Sequence, residues 1–398
     1  MKLLDLPNEI LRKIVLRYRR YHGKSAVIAL VCRRLYYVHR NISNAFNVTD
    51  ENAEEFRDMC LRLGVGRKYV ALLNTPVDLS IFKNLTLHKI CMYKDFRIDN
   101  LEDLRYINHD QIIYISIRVD MTVALKYLTN ISGLQCYHAI DYLCEDLCQL
   151  KNMQMLDISI KNDLDINFIQ HMPKLISLNA SNLSVSTLPH VNPSMLNFLD
   201  ISLSADNVID LSVFINLKGL RLNVCNVEHV QPYIDQICKL RSLQRLTINN
   251  FCYRGFNLEN FKKVDITPLS KIRCLGYLSL YNLDIMCQPK VFRHWETSVG
   301  YPKLCLRKCL ADRIPSVYRI NIVGTQIPMD VIQSVQVCRI LLLEGKYFSD
   351  WKEVDNLYRR SVFRTIEIHN TKHLGDIPNE LSHLKSCVKC LSGILIAV

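Results

Sequence analysis

Glycine and proline are scarce, at 12 each in 398 residues. So few chain breakers argue against long flexible linkers or a disordered tract. No apolar run approaches the ~18 residues of a membrane span. The start, MKLLDLPNEILRKIV, places Asp5 and Glu9 where a secretory signal would be apolar, and the end, GILIAV, carries no lipidation signal. The chain is therefore expected in the cytoplasm, the nucleus or both. Catalytic signatures are missing as well: there is no G-x-x-x-x-G-K-S/T, H-E-x-x-H or G-x-S-x-G, and the 12 histidines do not cluster. No catalytic residue, metal ligand or cofactor is assigned. The expectation is a binding protein, not an enzyme.

Cysteine is plentiful, at 16 residues, but irregularly spaced. Many of these cysteines stand where a small apolar residue is wanted, so reduced, buried thiols are expected. The lone C-x-x-C, Cys387 and Cys390, has no second pair at zinc spacing and is read as core. The net charge of +12 is uneven: residues 1–40 hold ten Lys/Arg and two Asp/Glu, and the remaining 358 residues carry only +4. That argues against a nucleic-acid surface running the length of the chain.

The informative stretch is Leu217–Leu243. Leu217, Leu220 and Leu222 give L-x-x-L-x-L, a helical period follows at Tyr233, Ile234, Ile237 and Leu240, and the opening returns at Leu243, Leu246 and Ile248. One strand and one helix cannot bury an apolar face alone; stacked on copies of themselves they can. The same pattern is read at Phe82/Leu85/Leu87, Ile112/Ile115/Ile117, Leu134/Tyr137/Ala139, Met153/Leu156/Ile158, Leu175/Leu178/Ala180 and Leu196/Leu199/Ile201. It continues at Leu275/Leu278/Leu280, Tyr301/Leu304/Leu306, Val317/Ile320/Ile322, Val337/Ile340/Leu342 and Phe363/Ile366/Ile368. Steps of 22, 19, 22, 21, 21 and 26 residues separate the units between 112 and 243. Longer steps point to insertions near 91–105 and 251–268.

This periodicity resembles the leucine-rich-repeat family. The resemblance implies an α/β solenoid over residues 81–398, with a curved parallel sheet on the concave face and helices and loops on the convex face. The positions between the inward Leu/Ile residues then point outward and stack from repeat to repeat. Seven of them are candidate target-binding residues: Asp157, Asn179, Asp200, Arg221, Arg245, Tyr277 and Tyr281. Mixed charge with aromatics suits a protein ligand.

Ahead of the repeats, Leu6-Pro7-x-Glu9-Ile10-Leu11-x-x-Ile14 opens one helical pattern, and a second closes on Val31-Cys32-Arg33-Arg34-Leu35. Residues 1–45 thereby resemble the F-box, a helical module that docks on the Skp adaptor of cullin-based ubiquitin ligases. The resemblance implies a docking face of Leu6, Pro7, Ile10, Leu11, Ile14, Val31 and Cys32, with Skp and, through it, a cullin as partners. Residues 46–80 are expected to be a helical junction, with a helix over 50–63. Together the two resemblances imply the substrate-recognition subunit of an SCF-type (Skp–cullin–F-box) ligase. The alternative is a leucine-rich interaction scaffold with no ubiquitin role, whose first helices only cap the array.

Overall fold

Strict alternation along short strands sets the architecture. The computed structural model describes residues 45–63, 69–85, 87–93, 96–115, 121–140, 147–160, 164–165, 171–184, 195–203, 210–224, 230–250, 263–288, 292, 303–315, 317–324, 327–335, 338–344, 347–360, 363–369 and 373–391. The F-box-like stretch, with Leu6, Pro7, Ile10, Leu11, Ile14, Val31 and Cys32, lies outside the described residues. The chain divides into two compact units between Ser159 and Ile160.

In the first unit, strands β1 (Ala45–Val48), β2 (Val70–Leu73), β3 (Lys89–Met92), β4 (Ile112–Ile115) and β5 (Gly133–Ile140) pair in sequence order, all parallel. One inward row runs Ala71, Ile90, Ile113, Leu134 and a second runs Leu73, Met92, Ile115, Cys136; all are buried. Strand β6 (Met155–Ile160) carries the boundary between the units.

The second unit repeats the scheme. After the short β7 (Leu164–Asp165) come β8 (Ser177–Ser184), β9 (Phe198–Leu203), β10 (Gly219–Val224) and β11 (Arg245–Asn250). Beyond a two-residue strand, β12 (Val264–Asp265), the main ladder resumes as β13 (Tyr277–Tyr281). Next are β14 (Asp284–Met286), β15 (Lys303–Arg307), β16 (Leu310–Ala311) and β17 (Arg319–Val323). The last are β18 (Ile340–Glu344), β19 (Thr365–His369) and β20 (Val388–Leu391). Strands β8 to β11, β13, β15 and β17 to β20 form one parallel ladder, while β12, β14 and β16 form a separate three-stranded flank. Each unit is thus a stack of repeats laid out as expected for a leucine-rich-repeat-like solenoid, one parallel ladder strand per repeat.

Leu220, Leu222, Leu246, Ile248, Leu278 and Leu280 are all at most 3% exposed. Each such side chain contributes about 1.5–3 kcal/mol on burial. Among the described residues, helices or 3-10 turns in the links close the other side of the core. Val230–Ile237 is helical and buries Val230, Tyr233, Ile234 and Ile237, the i, i+3, i+4, i+7 stripe of an amphipathic helix. Turns are started by short polar caps: the carboxylates of Asp78 and Asp210 accept from the backbone N–H of Ser80 and Ser212, at 2.8 and 2.9 Å.

Several expectations need correction. Among the described residues the parallel ladder already includes Ala45–Val48, ahead of residue 80; the helix Ala53–Leu63 stands between β1 and β2 as part of the stack. The pattern Phe82/Leu85/Leu87 matches because residues of a 3-10 turn, Leu79–Phe82, and its exit are also apolar and buried. The strand itself is Leu87-x-x-Ile90-x-Met92. Likewise the inward pairs of β4 and β5 are Ile113/Ile115 and Leu134/Cys136, earlier than expected. Counted from Ile90, Ile113, Leu134, Leu156, Leu178, Leu199 and Leu220, the steps become 23, 21, 22, 22, 21 and 21, so no insertion is needed near 91–105. Between Leu246 and Leu278 the step is 32, and the long link there carries β12. On β18 the error is one residue: Leu341 and Leu343 are buried inward opposite Ile366 and Ile368, and Ile340 and Leu342 face out. A one-residue slip exchanges the two faces of a strand.

Candidate functional site

Within the second unit the outward positions form straight rows, because parallel pairing keeps the register from β9 to β17. Phe198, Gly219, Arg245, Tyr277, Lys303 and Arg319 make the first row. Asp200, Arg221, Thr247, Ser279, Cys305 and Asn321 make the second.

Four of the expected target-binding residues fall into neighbouring pairs. Arg221 donates to the Asp200 carboxylate at 3.0 Å, across adjacent strands. Asn223 also donates to Asp200, at 3.4 Å, and to the Ser202 hydroxyl at 3.0 Å; Asn249 in turn donates to Asn223 at 2.7 Å. Burial pushes the Asp200 carboxyl above its ordinary range, against the pull of Arg221. The Arg245 guanidinium lies 5.4 Å from the Tyr277 ring centre, and the Lys303 ammonium lies 5.6 Å from the same ring. Tyr277 is thus flanked by a cation on each neighbouring strand, an arrangement favoured by the negative face of the ring. Asn179 stands opposite Asp200 on β8. Tyr281 occupies a third outward row, where the Lys308 ammonium is 5.6 Å from its ring. Lys308 takes a left-handed backbone, φ 48°, just past the end of β15.

Asp157 belongs to the first unit. There Gln135 donates to it at 3.4 Å, and the Lys89 ammonium reaches past β4 to the Gln135 carbonyl while lying 5.2 Å from the Tyr114 ring.

Two residues were missed by reading only two outward positions per strand. Asn223 and Asn249 stand at a third, and the six-residue length of β10 and β11 is the signal that exposes it. Lys303 stands beside Leu304 in the repeat read at Tyr301/Leu304/Leu306, but was not among the seven candidates. Phe198 is 45% exposed, and a Cβ on Gly219 would stand 2.6 Å from its ring. Only glycine lets that ring lie across β10.

Further along the same face the arrangement changes. Arg319 donates to Glu367 at 2.6 Å, from β17 to β19, over the intervening β18. Beneath that span Leu342 faces outward yet is 2% exposed.

Cysteine chemistry is subdued. Burial pushes the thiols of Cys287, Cys309 and Cys338 up to about 12. Cys387 is buried; Cys390 lies in an inward row opposite Ile368 but is exposed, on the last described strand, which corrects its reading as core. Among the described residues no cluster of His, Cys, Asp and Glu has the makings of a metal site, and no helix is long and apolar enough to cross a membrane.

No family model matches the sequence, and no curated protein does. Among solved structures, the crystal structure of an internalin (inlF) from Listeria monocytogenes str. 4b F2365 is similar at 18% identity and a TM-score of 0.47, over 85% of this chain and 93% of that one.

Proposed function

We propose that the chain is a non-catalytic protein-binding module, with the outward rows of β9 to β15 as its contact face. The observation that carries this is Arg245, exposed on a rigid parallel ladder and held by the Tyr277 ring rather than by a carboxylate. A stiff ladder bearing spare charge and a half-exposed aromatic supplies pre-ordered contacts, which lowers the entropic cost of association. A photo-reactive benzoyl-phenylalanine at Thr247, on this face, tests it against the same group at Lys239, on the turn after the Val230–Ile237 helix. Specific protein adducts are expected at Thr247 alone; adducts at neither site, or equally at both, end the reading.

The finer reading is a substrate receptor of an SCF-type ubiquitin ligase. What supports it is the order Leu6-Pro7-x-Glu9-Ile10-Leu11 followed by Val31-Cys32-Arg33-Arg34-Leu35. In that role the N-terminal module holds Skp and the cullin while the ladder holds a target. Catalysis is then proximity: a target lysine is kept at high effective concentration near the charged ubiquitin carrier. Pull-down of Skp by wild type and lost from a Leu6→Ala/Pro7→Ala variant is the expected result. Equal recovery from both, or from neither, removes the ligase role and leaves the interaction module standing.

A further inference from the structure

We infer that the partner presents an acidic extended segment with an apolar anchor, laid across β9 to β15; this rests on the reading that the outward face binds protein. Outward positions on β10, β11 and β15 carry Arg221, Arg245, Lys303 and Arg307, against one carboxylate on the same stretch, Asp200, which Arg221 already engages. Among the described residues Arg245, Lys303 and Arg307 have no carboxylate partner. Arg245 and Lys303 instead share the Tyr277 ring. A ring stabilises a cation without neutralising it, so both remain free to take an anion on their solvent side.

Geometry narrows the occupant. Arg245 and Lys303 are two strands apart in one row, about 10 Å at the usual strand spacing. Residues three apart in an extended left-handed segment lie on one side, about 9 Å from each other. Two carboxylates at that interval can meet both cations at once. Apolar exposure is concentrated beside them. Phe198 is 45% exposed, and Met195 and Ile215, on the turns leading into β9 and β10, are 53% and 55% exposed. Phe198, at the end of the cationic row, offers a seat for one large apolar side chain. A single-stranded nucleic acid would use the cations and stack a base on Phe198 but has no group for the aliphatic Met195 and Ile215, which favours an acidic peptide.

Fluorescence anisotropy with the full chain provides the test. The probe is a short fluorescein-labelled peptide of glutamates around one central phenylalanine. Controls are the same peptide with alanine for phenylalanine, a lysine-for-glutamate version and an oligothymidylate. Wild type is expected to bind the acidic phenylalanine peptide best, with affinity falling as salt rises. The Arg245→Glu/Lys303→Glu variant should bind it about tenfold or more weakly. Both sites lie on the outward face, and circular dichroism melting checks that the variant folds. No binding by wild type, equal binding by the variant, or tighter binding of the oligothymidylate overturns the proposal. If adducts at Thr247 persist in any of those cases, the face still binds protein and only its acidic, apolar character is lost.

Discussion

The outward face of the second unit has two halves that use arginine in opposite ways. On β17 to β19, Arg319 closes onto Glu367 at 2.6 Å, above an apolar Leu342 that is itself buried. On β10 to β15, Arg245 and Lys303 flank a tyrosine ring and meet no carboxylate among the described residues. Charge alone therefore does not mark a binding surface. The first half has used its charge to seal itself; the second half has charge left over. Desolvation explains the division. Glu367 is 11% exposed in its side chain and needs its cation, whereas a cation open to water needs nothing and adds little to stability.

The largest expected effect tests which residues of β18 face the core. Leu341→Ala should cost about 3 kcal/mol by urea unfolding, since it removes a buried side chain and leaves a cavity. Arg339→Ala, on the turn before β18, should stay within about 0.5 kcal/mol. Equal effects would mean that β18 is slipped, and the sealed half would lose its description.

Next comes the bridge itself. Arg319→Ala strands a buried carboxylate and should cost about 2 kcal/mol, while Arg245→Ala should cost about 0.5 kcal/mol or less. If the two variants melt alike, the two halves are not different in kind.

Acid sensitivity should come from the link helix between β18 and β19, on the other side of the same repeats. On the helix Trp351–Arg360, Asp355 accepts from Arg359 at 2.7 Å and pairs with His383 at 2.7 Å. The Arg359 hydrogen bond, aided by His383, holds the Asp355 carboxyl below its usual value of 3.8. Its contribution is therefore present above that value and is lost as pH falls through the lower folded one. Asp355→Asn should remove this part of the acid limb below about pH 4. A variant whose stability declines with acid as steeply as wild type would show that the pair contributes nothing.

Much of this was legible in residues alone. Wherever a repeat reads L-x-x-L-x-L with polar residues between, as at Leu217 or Leu243, period and facing are both unambiguous. Legibility failed where apolar residues also fill the outward side or the links. On β18 the run Ile340-Leu341-Leu342-Leu343 offers two registers, and only the partner strand decides between them. At Leu79–Leu87 the turn is as apolar as the strand after it. Of the candidate site, single outward residues such as Arg221 and Tyr277 could be placed from the pattern. Which cations are already engaged could not, because Asp200 lies one repeat and Glu367 two repeats away from the arginine it binds.

The smallest effect is the most discriminating, because it concerns the residue on the border between the two kinds of arginine. Arg221 touches a carboxylate as Arg319 does, yet its side chain is 58% exposed, against 29% for Arg319. Burial raises the Asp200 carboxyl above 3.8, with Arg221 pulling the other way. A folded value above the unfolded one means that the contribution of Asp200 is full below pH 3.8 and declines as pH rises through the folded value. Wild type should therefore lose stability slightly against Asp200→Asn as pH goes from about 3 to about 6, by no more than about 0.5 kcal/mol. Urea midpoints at several pH values read the difference. The opposite slope, with wild type gaining on the variant, would mean that Arg221 outweighs burial. Arg221 would then belong with Arg319 among the arginines already used, and the open face would keep only Arg245, Lys303 and Arg307 for a partner.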